Sequence, residues 1–114
     1  MSATPNPVTI VARACGQALG VSIAEILGPS RRAEIVEARH MAMALAREYL
    51  GWSQPKIARA FKRADHTVAQ HALKTWPRRA GRPHLAKALP LVRARIDQEL
   101  AARRAALATA SPQA

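Results

Sequence analysis

Cysteine, aromatic residues and acids are all scarce in this chain, and each scarcity narrows what it can be. The single Cys15 excludes an intrachain disulfide. With no ligand-spaced partners it also argues against a zinc site and reads as a small buried side chain. No cysteine framework and no secretory leader pattern is present, which points to the cytoplasm. Only 4% of residues are aromatic although 49% are hydrophobic, so much of the apolar content is alanine. Alanine is the best helix former, and the composition therefore leans all-α. Seven acids face eighteen Lys and Arg, giving +11. Such an imbalance selects a polyanion as partner, against the alternative of a merely solvated basic surface. No apolar run approaches the roughly 20 residues of a membrane span, so no membrane partner is expected. Walker A, GxGxxG and HExxH patterns are all missing. His66 and His71 lie five apart, not the four that would put two ligands on one helical face. No Ser/His/Asp set emerges from spacing. Catalysis, a metal and a cofactor are therefore not expected.

Along the chain, Met1 to Pro7 read as a frayed lead-in. Val8, Val11, Ala12, Cys15 and Leu19 recur at helical spacing, and Gly20 suits the end of that helix. Ser22-Ile23-Ala24-Glu25 is a capping box opening a short helix to Leu27. Gly28-Pro29-Ser30 breaks it, and Arg31 and Arg32 follow in the break. Ala38, Met41, Ala42, Leu45 and Tyr49 stripe a helix over about 35–50, closed by Gly51. Ser53 caps the next helix, with Pro55 in its first turn and Ile57, Ala58 and Phe61 as its apolar face. Lys62-Arg63-Ala64 forms a turn without glycine. A further helix runs from His66 to Trp76, with Pro77 expected to stop it. Two short helices joined by a tight turn outline a helix-turn-helix.

On that last helix Ala69, Ala72, Leu73 and Trp76 share one face, which is the buried one. Thr67, Gln70, His71 and Lys74 point away, with His66 at the tip. The outward set suits DNA: Gln pairs with adenine edges, Thr offers a hydroxyl and a methyl, and His and Lys suit phosphates. Asp65 can accept from cytosine N4 or simply cap the helix, and the two roles are compatible.

The runs Arg39-His40-Met41-Ala42-Met43-Ala44-Leu45-Ala46-Arg47-Glu48 and Asp65-His66-Thr67-Val68-Ala69-Gln70-His71-Ala72 resemble the C-terminal DNA-binding domain of the bacterial replication initiator DnaA. Its signatures are close to PRQxAMYLxRxL and SxxxIGxxFGGRDHTTVxHA, and Ser53, Ile57 and Phe61 keep their spacing here. The resemblance implies that Arg31 enters a minor groove with Arg32 beside it. It implies that Asp65, His66 and Thr67 read bases in the major groove. It places Arg39, His40, Arg47, Ser53, Lys56, His71 and Lys74 on the DNA backbone. The chain departs from the signature in the turn. Lys62 and Arg63 replace the glycine pair, so a different turn geometry is expected, and Arg63 stands one step from the signature arginine, as a further backbone contact. Val68 keeps a methyl for thymine but loses a hydroxyl, and Gln70 adds a base contact.

The resulting expectation is an all-α protein in three parts: a helix-turn-helix domain over 8–76, a basic linker over 77–84 and a C-terminal helix over 85–107, with a loose tail beyond. The resemblance implies binding of double-stranded DNA at DnaA-box-like sites in the nucleoid, modulating replication initiation, without the initiator's ATP-binding module. DnaA or another regulator is a candidate partner. Alternatives are a transcription regulator acting at promoters or an adaptor acting on DnaA. The Leu85, Leu89, Val92, Ile96 and Leu100 stripe needs a surface to pack on, either the domain itself or a second copy in a homodimer.

Overall fold

The computed structural model describes residues 6–110, in which six helices and no strands form. Met1–Pro5 of the expected lead-in and residues 111–114 of the expected tail lie outside the described residues. The helices are α1 (Pro7–Leu19), α2 (Ile23–Leu27), α3 (Ala33–Leu50), α4 (Gln54–Ala60), α5 (Thr67–Arg79) and α6 (Pro83–Ala110).

Local chemistry sets most of these bounds. Asn6 and Pro7 are not frayed: the Asn6 side chain accepts from Val8 N at 3.0 Å, and Pro7 opens α1, where its missing N–H is no loss. Gly16 lets the chain fold back tightly after α1, because a Cβ there would lie 2.2 Å from the Val21 carbonyl oxygen. The capping box forms as expected. Ser22 Oγ accepts from Glu25 N at 3.1 Å, and Glu25 accepts from Ser22 N at 3.0 Å. Ser53 caps α4 by accepting from Lys56 N.

The core gathers around α3, which packs against α1, α2, α4 and α5, while α6 lies along α1. Val11, Cys15, Met41, Leu45, Ile57, Phe61 and Ala72 belong to one buried cluster. Burial pushes the Cys15 thiol far above its ordinary range, so it is an inert filler rather than a nucleophile.

The C-terminal third departs from expectation in part. Pro77 does not stop α5. The helix runs on to Arg79, and Ala80 N still donates to Trp76 O at 2.8 Å. Pro77 cannot donate to the carbonyl of Leu73 and its ring crowds that carbonyl, but the ladder resumes beyond it. The segment 77–84 is therefore not a linker but the last turn of α5, a tight bend and the start of α6. Of the two surfaces open to the stripe on α6, it takes the domain itself. Leu85, Val92 and Ile96 are fully buried in the common core, with Leu89 and Leu100 packed against it. Polar clasps reinforce the seam: Arg13 pairs with Glu99 at 3.4 Å, Arg95 donates to Gln17, and Arg93 grips Glu48 beside the Tyr49 ring. Past Leu107, where a loose tail was expected, the helix continues to Ala110.

Candidate nucleic-acid interface

The helix-turn-helix is built by α4 and α5 and the bend between them. The end of α4 closes as a Schellman pair: Arg63 N donates to Ala58 O at 2.8 Å and Lys62 N to Arg59 O at 3.0 Å. That closure puts Lys62 in the left-handed region at φ 59°, the conformation for which glycine is the usual residue. Lys62 stands where the signature has the first glycine of the pair. A lysine in this conformation costs about 1–2 kcal/mol.

After the bend, Asp65 Oδ1 accepts from Thr67 N at 3.0 Å and starts α5. This backbone hydrogen bond holds the Asp65 carboxyl below its ordinary range. Its capping role is therefore seen, with the side chain still exposed. Ala69 and Ala72 turn inward. His66, Thr67, Val68, Gln70, His71 and Lys74 are exposed, so α5 presents one polar face outward from a small-residue base. Small residues inside let the helix sit close to α3 and α4 while the reading face stays clear.

Arg31 and Arg32 sit exposed on the loop between α2 and α3. Arg32 pairs with Glu34 at 2.6 Å, whereas Arg31 has no partner among the described residues. At the other end of α3, Arg47 donates to Trp52 O at 2.7 Å, and the Lys56 ammonium lies 4.2 Å from the Trp52 ring centroid. Lys56, Ser53 and Arg47 are all exposed, so this group can face a phosphate.

Three residues given backbone-contact roles are corrected. Arg39 is 5% exposed and its guanidinium is engaged inside the protein. It donates from Nε to Ile26 O at 2.7 Å, from Nη1 to Ser30 O at 2.9 Å, and from Nη2 to Glu25 O at 3.0 Å and Gly28 O at 2.9 Å. Arg63 sends its Nη2 to the same Gly28 carbonyl. Both arginines are positioning residues that hold the Arg31 loop in place, and Arg63 does so from the helix-turn-helix bend. His40 is buried, with Nδ1 unpartnered and its ring edge toward His71 at 6.0 Å between centroids.

Burial, then the charges of Arg79, His71 and Arg39, push His40 down to about 4 from 6.5. The sign of the effect on stability follows. Above about pH 6.5 the imidazole is neutral in both folded and unfolded states. Below it only the unfolded chain takes the proton, so stability falls until about pH 4, by up to about 3 kcal/mol. His40→Gln should remove this component. Urea unfolding of both proteins from about pH 7 to about pH 4 checks it. Parallel curves would refute the assignment.

Sequence reasoning missed a basic cleft of about 380 Å³ lined by His71, Thr75, Arg78, Arg79 and Arg82. The signal was present in the Arg78-Arg79 pair, but ending α5 at Pro77 placed those residues in a linker. Among the described residues no group of His, Cys, Asp and Glu could hold a metal, and no helix is long and apolar enough to cross a membrane.

The profile of the bacterial DnaA helix-turn-helix matches residues 8–75, the segment from α1 through most of α5. This chain belongs to that family. Its helix-turn-helix is a DNA-binding element, and the match contains no catalytic module. Among curated proteins, 68 residues are 37% identical to the chromosomal replication initiator protein DnaA of Picosynechococcus, covering 60% of this chain and 15% of that protein. The Thermomicrobium roseum initiator is 44% identical over 64 residues, covering 56% of this chain and 14% of the initiator. The Lactococcus lactis subsp. cremoris initiator is 44% identical over 54 residues, covering 47% and 12%. The chain thus spans about one seventh of the length of such initiators.

Proposed function

We propose that this DnaA-type helix-turn-helix recognises double-stranded DNA at DnaA-box-like sites and modulates chromosomal replication initiation. The observation that carries the reading is the exposed row at the start of α5, with Ala69 and Ala72 buried beneath it, on a chain of charge +11. In this reading Asp65 accepts from cytosine, Gln70 pairs with adenine, and Thr67 and Val68 offer methyls to thymine, with His66 at the leading tip. His71, Lys74, Arg47, Ser53 and Lys56 take phosphates, as does Arg32. Arg31 enters a minor groove, where narrow A·T tracts have enhanced negative potential.

His66→Ala and Thr67→Ala are expected to weaken binding to a matched duplex by about 1–3 kcal/mol while leaving scrambled duplex almost untouched. Lys74→Ala should weaken both alike. Titration of each variant with a duplex selected from a random pool, and with its scrambled counterpart, separates the two classes. Equal losses for all three would remove the base-reading assignment. Genome-wide occupancy tests the cellular role: enrichment at the replication origin supports it, and enrichment at promoters alone overturns it.

A further inference from the structure

The cleft at the far end of α5 lies mostly beyond the matched family segment. We infer that Arg78 and Arg79, with His71, form a clamp for two neighbouring backbone phosphates that extends the DNA contact past the bases read by the start of α5. The inference rests on the reading of α5 as the groove helix.

Geometry carries it. Arg78 lies eleven residues after Thr67, three turns almost to the residue, so the two share a face with His71 and Lys74 between them. At 1.5 Å per residue they stand about 16 Å apart along the axis. A major groove is about 12 Å wide. A helix reading bases from Thr67 onward therefore carries Arg78 to the groove wall, where phosphates line up. The helix reaches that far only because α5 continues through Pro77.

The partners of the lining residues point the same way. Arg82 is already paired with Glu37 at 2.7 Å, and His84 shares that carboxylate at 2.8 Å, which pins the bend to α3 and fixes one wall of the cleft. Thr75 Oγ1 donates to His71 O at 2.9 Å, so its proton is taken. The side chains of Arg78 and Arg79 have no ion-pair or hydrogen-bond partner among the described residues. Two unneutralised guanidiniums and an imidazole around one concavity want an anion, and the Arg79 charge also bears on buried His40. Arginine forks match phosphate oxygens better than lysine does.

The test is the salt dependence of binding by the whole chain to the selected duplex. Arg78→Ala with Arg79→Ala removes two phosphate contacts, so the slope of log K against log salt should become shallower by about 1.8. Between about 50 and about 200 mM salt the variant should lose about twelvefold less affinity than the parent. Arg78→Lys with Arg79→Lys should keep the parent slope, because charge is retained. Phosphate ethylation should cease to interfere at one or two positions flanking the selected bases. If the double alanine variant does not fold by circular dichroism, Arg78→Ala alone should show about half the change. An unchanged slope and an unchanged interference pattern would overturn the clamp. If the parent fails to discriminate matched from scrambled duplex, base reading falls. The slope on scrambled duplex then still decides the clamp. No binding to any duplex would overturn both.

Discussion

Ile96→Asp is expected to unfold the protein. Ile96 is fully buried in the cluster that α6 shares with the rest of the chain. Cutting a buried isoleucine to alanine size costs about 2–5 kcal/mol. A carboxylate at the same point adds an uncompensated desolvation cost of several kcal/mol more. A domain of this size has about 5–15 kcal/mol in total. Thermal melting followed by circular dichroism should therefore show no cooperative transition, and binding to matched and scrambled duplex should vanish together. Leu91→Asp on the same helix is the control. Leu91 is 67% exposed, so its replacement should shift stability by no more than about 0.5 kcal/mol. A folded Ile96→Asp protein would mean that α6 stands off the core.

Arg39→Ala should cost about 3 kcal/mol. Four hydrogen bonds from one cation are lost at once, to the carbonyls of Glu25, Ile26, Gly28 and Ser30. Bonds to charged groups contribute about 1.5–3 kcal/mol each, but they share one side chain, and the released carbonyls regain some water. Gly28 keeps its bond from Arg63, which limits the loss. Arg39→Lys should recover only part of it, because a compact ammonium cannot span carbonyls arranged for a planar fork. Urea unfolding measures the stability. Amide hydrogen exchange should show faster exchange at residues 28–32 than in α4. A variant as stable as the parent would show that the loop holds itself.

Much of this was written in local chemistry. The capping box of Ser22 and Glu25, the glycines at 20 and 51 and the Ser53 cap involve neighbours in sequence, and they fall where expected. The outward face of α5 follows from the 3.6-residue period, because Ala69 and Ala72 have to turn inward. Arg39 was misread for a physical reason. Its acceptors are backbone carbonyls nine to fourteen residues away, and a carbonyl leaves no trace in residue type. His40 was misread because histidine is as common on surfaces as in half-polar interiors, and only the packing of α5 over α3 decides between them. The stripe on α6 was legible, but a stripe shows that a helix must pack and not against what. Pro77 misled because one lost ladder bond need not end a helix: Ala80 N still reaches Trp76 O beyond it.

The seam between α1 and α6 has a consequence for how the chain acquires its shape. Arg13 and Glu99 meet across 86 positions, and Gln17 and Arg95 across 78. Such pairings are strongly non-local, and loop closure must precede any reward from them. During synthesis α1 can dock on α3 early, but its Arg13 and Gln17 side stays bare until α6 emerges. At about 5–20 residues per second, that interval is about 4–16 s. Docking of α6 therefore closes this core late, and until it arrives the nascent domain offers an uncovered side to any chaperone at the ribosome.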